Sequence, residues 1–328
     1  MVHEPKTLAD AIVYFQSADN CIDYLALRRW PNGVTCPNCG RKDVSFVPSR
    51  RLWQCKTRHP KAQFSIKTGT VMEDSPLGLE KWLPVMWMVA NCKNGVSSWE
   101  IHRHLGVSQK AAWFMLHRIR LGMQDKQDGG KLGGPNGPVE IDETYIGGKA
   151  RNMHKSKRRR LSDGIGMQGG HGKTVIIGAL ERGGKIKARV IGDRKYPAVH
   201  GAVRDFVEAG SAIMTDEFTG YYALKSEYDH KFVNHLEKYV EGQVHVQGVE
   251  NFWSLLKRGL SGTYVAVEPF HLFRYVDEQA FRFNNRATKD NPVNDSDRFS
   301  LLCEQIVRKR LTYAELTAKE DKKPEVPF

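Results

Sequence analysis

The spacing of apolar residues changes character along the chain. Residues 1–34 predict a short helical lead, with Phe15, Ile22, Leu25 and Leu27 as apolar points and Arg28-Arg29 near its end. A compact stretch carrying cysteines follows, and from 79 to 123 Trp, Met, Leu and Ile recur at helical intervals. The segment DKQDGGKLGGPNGP (125–138) holds five glycines and two prolines, so it predicts a linker and no helix. Beyond it VEIDETYIGG (139–148), KTVIIGALER (173–182) and KIKARVIGD (185–193) are rich in Val and Ile and bounded by Gly, which predicts strands.

Residues 198–208 predict a helix, SAIMTD (211–216) a short buried strand, and VENFWSLLKRGL (249–260) and PFHLFRYVDEQAFRFNNR (269–286) two further helices. The class is α/β. Three successive strands, then a helix, a strand and more helices, is the element order of a ribonuclease H-like fold, although several α/β folds begin similarly. The predicted organisation is a helical lead (1–34), a zinc ribbon (35–72), a helix-turn-helix domain (78–124), the linker (125–138), a ribonuclease H-like domain (139–290) and a C-terminal helical tail (291–328).

Charge adds a partner. Among 328 residues, 50 Lys and Arg against 37 Asp and Glu leave a net +13, which favours a polyanion because phosphate contacts release counterions. KARNMHKSKRRR (149–160) concentrates seven of these cations without an acid, including Lys155, Lys157, Arg158, Arg159 and Arg160. It reads as a solvated loop or as a track for DNA backbone. No stretch reaches the ~18 apolar residues that span a bilayer, and Glu4 and Asp10 interrupt any signal peptide, so a cytoplasmic protein without membrane partners is expected.

Of six cysteines, three fall within twenty residues. Cys36-Pro-Asn-Cys39-Gly40 is a knuckle in which two thiolates grip one ion and Gly permits the turn. Cys55 and His59 supply the matching half, flanked by Trp53, Phe64 and Ile66. The reading is a Cys3His zinc site of structural type; the alternative is a lone pair of thiols at Cys36 and Cys39. In SSWEIHRHLGVSQKAAWFMLHRIRLGM (97–123) two helical stretches pivot at Gly106, with Ser108 placed to cap the second. A recognition helix would offer Ser108, Gln109 and Lys110 at its start and Arg118 and Arg120 further on. An ordinary helical hairpin suits the same pattern.

Two-metal phosphoryl chemistry needs carboxylates converging on ions about 3.5–4 Å apart. Asp142 lies within an apolar strand, with Glu140 and Glu143 as competing neighbours, and Asp216 ends a short strand, with Glu217 as competitor. Glu250 opens a helix. Lys257, seven residues on, differs from it by only about 20° in azimuth, so a ligand and a phosphate-holding cation share one face.

These blocks look familiar. VEIDETYIGGK, MTDEFTGY and HVQGVENFWSLLKRGLSGTY resemble the catalytic blocks of bacterial insertion-sequence DDE transposases, the branch related to eukaryotic Merlin elements. CPNCG, FSIKTGTVMEDSPLGLEKW and the helix-turn-helix also resemble that branch, so the similarity runs over nearly the whole chain. The resemblance implies Asp142, Asp216 and Glu250 as metal-holding acids, with Lys257, and Arg258 beside it, against DNA. It further implies catalytic Mg²⁺ or Mn²⁺, structural Zn²⁺, double-stranded DNA (terminal inverted repeats and target) as partner, and at least a dimer. The departure is Arg58-His59, where many relatives carry a second Cys-x-x-Cys. Two rivals remain open: a zinc-containing DNA-binding regulator, and a ribonuclease H-like structure-specific nuclease.

Overall fold

Short polar residues set the helix starts in the N-terminal half. Thr7, Ser17, Ser97 and Ser108 each accept a hydrogen bond from the amide three residues on. They open α1 (Leu8–Tyr14), α2 (Ala18–Arg29), α4 (Ser98–Leu105) and α5 (Gln109–Met123), with α3 (Leu79–Asn91) between the second and third of these. The computed structural model describes residues 4–124, 130–148, 173–193, 195–216, 219–233, 245–289 and 291–318, less the side chains of 136, 219, 222 and 233. The chain divides into two units, Met1–Gln124 with Asn285–Phe328, and Asp125–Asn284.

In the first unit β1 (Val44–Val47), β2 (Leu52–Cys55) and β3 (Gln63–Phe64) form an antiparallel sheet. Its core is aromatic: Trp53 packs on Phe46, Trp30 and Phe64 at ring separations of 5.0, 5.3 and 5.9 Å. The C-terminal segment returns here as α9 (Asp295–Gln305) and α10 (Tyr313–Thr317). Phe299 of α9 sits among Phe15, Tyr24 and Trp87 at 5.6, 5.4 and 5.0 Å. Backbone bonds from Val71 N to Ile306 O (3.1 Å) and Arg308 N to Gly69 O (2.8 Å) complete the return.

Helices α4 and α5 meet at Gly106, whose φ of 62° ends the first helix, and Ser108, which caps the second. The late part of α5 corrects the sequence reading. It packs on α3 and α9, so Arg118 and Arg120 are 4% and 1% exposed and cannot meet DNA bases in this fold. Arg118 donates to the Glu73 carbonyl and lies over the rings of Trp82 (5.5 Å) and Phe114 (5.2 Å), and burial pulls its pKa down to about 10. Arg118→Ala is therefore expected to lower stability by about 2–4 kcal/mol, as loss of a buried, bonded cation does, without changing DNA affinity per folded molecule. Urea unfolding beside a binding titration checks this; a selective affinity loss would return Arg118 to the interface.

The second unit is a five-stranded sheet in the order β6-β5-β4-β7-β8. β4 (Val139–Ile146), β5 (Thr174–Glu181) and β6 (Ile186–Ile191) run antiparallel; β7 (Ala212–Asp216) lies parallel to β4, and β8 (Asp229–Val233) parallel to β7. Alternation along β5 separates two cores. Val175, Ile177 and Ala179 pack with Val199, Ala202 and Val203 of α6 (Tyr196–Phe206). Ile176 and Leu180 pack with Val249, Trp253 and Leu256 of α7 (Gln247–Gly259) and with Leu272 and Val276 of α8 (Leu272–Asn284). This is the ribonuclease H-like arrangement.

The predicted linker is only partly one. Leu132 is 5% exposed, donates to Phe206 O at 2.8 Å and accepts from Glu208 N at 2.9 Å, so residues 130–138 belong to the second unit. Residues 125–129 lie outside the described residues, as does the basic stretch containing Lys155, Lys157, Arg158, Arg159 and Arg160. β8 was not anticipated, because DHKFV shows neither alternation nor a turn signal. Among the described residues no helix is long and apolar enough to cross a membrane.

Candidate active site and zinc cluster

Alternation along β4 divides its acids between two faces. Val139 and Ile141 face the α6 core, and Glu143 shares that face, beside the fully buried Tyr221. Glu140 and Asp142 face α7. The parallel register pairs Val139 with Ile213 and Glu140 with Met214; continued two residues, it sets Asp216 beside Asp142. Neighbouring strands are about 4.8 Å apart, so these two carboxylates are adjacent on one face. Burial, and then the charges of Asp216 and Glu143, push the Asp142 carboxyl up to about 7.

Of the competing acids, Glu140 is committed elsewhere. It is 1% exposed, pairs with Arg182 at 2.9 Å and His245 at 3.3 Å, and accepts from Gly248 N (2.7 Å) and Val249 N (3.2 Å). A carboxylate at a helix N-terminus meets free amides and the positive end of the dipole. Glu140 thus ties the start of α7 to β4. Glu143 points away from Asp142, and Glu217 lies outside the described residues.

Glu250 stands exposed in the first turn of α7. Phe252 packs on Phe283 of α8 at 5.3 Å, and α8 covers β6. Glu250 lies about 160° around the helix from Phe252, so its flank is turned away from α8. Lys257 is exposed on the same flank, and Arg258 is exposed beside it. The ligand atoms of the three acids do not all lie within 4.8 Å of one another; among the described residues only the cysteine cluster meets that spacing. The donor set, hard carboxylate oxygens with two held side by side, fits Mg²⁺ or Mn²⁺.

The cysteine cluster fits zinc. Cys36 Sγ lies 3.5 Å from His59 Nε2, and Cys39 Sγ 3.7 Å from Cys55 Sγ. Tetrahedral zinc, bonded at about 2.3 Å to sulfur and 2.0–2.1 Å to nitrogen, spaces its ligands by about 3.6–3.8 Å. Four protein ligands leave no open position, so the site is structural. The structure thus brings together all four ligands read from the sequence, His59 included.

At the start of α5, Ser108 and Lys110 are exposed and Gln109 is half-buried. The Ser108 hydroxyl caps the helix, Gln109 donates to Ser98 Oγ at 2.9 Å, and the Lys110 ammonium lies 4.4 Å from the centre of the Tyr313 ring.

Residues 134–284 match the ISXO2-like transposase domain, and residues 16–57 the transposase zinc-ribbon domain. A Halobacterium salinarum protein described as an uncharacterized protein in transposable element ISH50 is 28% identical over 265 residues, covering 75% of this chain and 84% of that one. An uncharacterized transposase-like protein of Haemophilus influenzae is 33% identical over 88 residues, 26% of this chain and 71% of that one. Among solved structures, a chain of the simian T-cell lymphotropic virus intasome in complex with PP2A regulatory subunit B56 gamma aligns over 66% of this chain and 74% of its own, with 15% identity and a TM-score of 0.30. The two family domains occur here in the order of the cysteine-bearing ribbon and the acid-bearing sheet, so this chain belongs to the IS1595 family of DDE transposases.

Proposed function

We propose that this transposase binds the terminal inverted repeats of its insertion sequence, hydrolyses the phosphodiester at each element end and joins the freed 3′-OH to target DNA. The observation that carries the reading is the register that brings Asp142 and Asp216 to neighbouring positions of β4 and β7, with Glu250 in the first turn of α7, the helix that packs on β4 and β5. Asp142, Asp216 and Glu250 would hold the two divalent cations. Bound there, the cations supply Lewis acidity that favours hydroxide over water and neutralises charge on the attacked phosphate. Water attacks the phosphorus and the bond to the element's 3′ oxygen breaks, leaving a 3′-OH and a 5′-phosphate. The 3′-OH then attacks a target phosphate in line, and one phosphodiester replaces another without an external energy source. Lys257 holds a non-bridging phosphate oxygen and Arg258 an adjacent phosphate.

Recognition falls to the first unit. Ser108, Gln109 and Lys110 stand where a recognition helix meets base edges, and the net +13 of the chain suits backbone contact. The basic stretch of Lys155, Lys157, Arg158, Arg159 and Arg160, which follows in sequence the segment that carries Asp142, adds charge for backbone contact. Both element ends must be held at once, so the active assembly is at least a dimer, acting on DNA in the cytoplasm.

The test is strand transfer with purified protein, a labelled element-end duplex and a supercoiled target, with Mg²⁺ or with EDTA. Metal-dependent joined product is expected. Cleavage without joining would replace the reading by a structure-specific nuclease, and binding alone by a DNA-binding regulator.

A further inference from the structure

The antiparallel register of β4 and β5 sets Gly178 directly opposite Asp142. Residues opposite one another share a face of the sheet, so Gly178 leaves an opening beside Asp142 under α7. The indole of Trp253 fills it. A Cβ on Gly178 would lie 2.8 Å from both Cη2 and Cζ2 of that ring, well inside the 3.5–4.0 Å at which carbons rest. Seated there, Trp253 Nε1 donates to Asp142 Oδ2 at 3.0 Å and the side chain is 3% exposed. Trp253 follows Glu250 by three residues on α7, so one side chain joins the helix of the third acid to the strand of the first.

We infer that Trp253 is a positioning residue for the metal-holding carboxylates: its indole N–H fixes the orientation of Asp142 and leaves Oδ1 for a divalent cation, in a space that Gly178 provides. The inference rests on the proposed function. Rotation about the last bond of an aspartate exchanges its two oxygens, and a hydrogen bond to one of them removes that freedom. Metal sites depend on such outer contacts, which typically change affinity 10–100-fold. A buried indole N–H needs an acceptor in any case, so packing alone is the competing account. The two accounts separate on metal affinity, because packing alone leaves the carboxylate's grip on a cation unchanged.

The experiment uses the full chain with its zinc and without DNA. In a ¹H–¹⁵N spectrum the indole signal missing from Trp253→Phe is assigned to Trp253, and it is expected to move in Asp142→Asn. Mn²⁺ binding is then followed by electron paramagnetic resonance, with Asp142→Asn defining the site-specific part. Trp253→Phe removes the donor, and Gly178→Ala displaces it while keeping it. Each is expected to weaken Mn²⁺ about 10–100-fold, and the double variant to be little worse than the weaker single, because both act on one contact. Element-end binding is expected to stay at the wild-type level. Wild-type Mn²⁺ affinity in folded Gly178→Ala, or an indole signal indifferent to Asp142→Asn, would overturn the inference even if Trp253→Phe fails to fold. Absence of site-specific Mn²⁺ binding in the wild type would overturn the proposed function instead, and this inference with it.

Discussion

Replacing Asp142 by asparagine is expected to lower DNA cutting by about 10³-fold or more and, in the same molecule, to raise the stability of the metal-free protein at pH 8. The first effect follows from losing a cation ligand: metal charge stabilisation is worth several kcal/mol, and each 1.36 kcal/mol is tenfold in rate. The second follows from where the carboxyl sits. Its pKa is about 7 in the fold against 3.8 for an ordinary aspartate in water, through burial first and then the charge of Asp216. Between those values the folded chain holds a proton that the unfolded chain has lost, so stability falls as pH rises from about 4 to about 7 and stays at the lower level above it. A shift of about three units at 1.36 kcal/mol each bounds the loss at about 4 kcal/mol. Asparagine carries no charge and keeps a carbonyl oxygen for the Trp253 N–H, so that loss disappears. Urea unfolding without added Mg²⁺ is expected to show the variant's advantage growing from pH 5 to pH 8, and added Mg²⁺ to narrow it by stabilising only the wild type. An advantage equal at both pH values would mean that the folded carboxyl is already ionised at pH 5.

Removing zinc, or substituting Cys55 by serine, is expected to unfold the ribbon and abolish element-end binding while the five-stranded sheet persists. The ribbon strands hold only four, four and two residues, and their core is little more than Trp53 against Phe46, Trp30 and Phe64. Structural zinc contributes on the order of 10–16 kcal/mol in small domains, far beyond what those rings supply. The sheet of the second unit has its own two cores, built from β5 outward, and needs no ligand to hold them. Limited proteolysis around residues 44–64, with tryptophan fluorescence, reads the ribbon; amide exchange in β4 and β5 reads the sheet. A ribbon that stays protected after chelation would show that its aromatic core suffices alone.

Asp142 and Asp216, two of the acids proposed to hold metal, stand out in the sequence because each breaks a local pattern. A carboxylate within VEIDETYI or at the end of AIMTD opposes the burial its neighbours demand, and such oppositions mark sites. The arginines of α5 were misread for the converse reason. At helical spacing Arg118 and Arg120 are indistinguishable from surface cations, and only the packing of α3 and α9 shows that their side chains are inside. The same return of α9 was invisible, because nothing local in residues 295–305 says which unit they will join. Nothing in consecutive residues relates Trp253 or Gly178 to Asp142; that relation exists only across the register.

The sequence by itself determined most of the elements and their order, the chemistry of the donors and the family resemblance, since caps, periodicity and spacing are written in consecutive residues. Tertiary structure alone decided which competitor among Glu140, Asp142 and Glu143 faces away from the α6 core towards α7 beside Asp216, that the second half of the apparent linker belongs to the sheet, and that an indole N–H bonds to Asp142. Each of these depends on which face of a strand or flank of a helix meets a distant segment. Pairing register and packing set that relation, and neither is encoded in the spacing of neighbours along the chain.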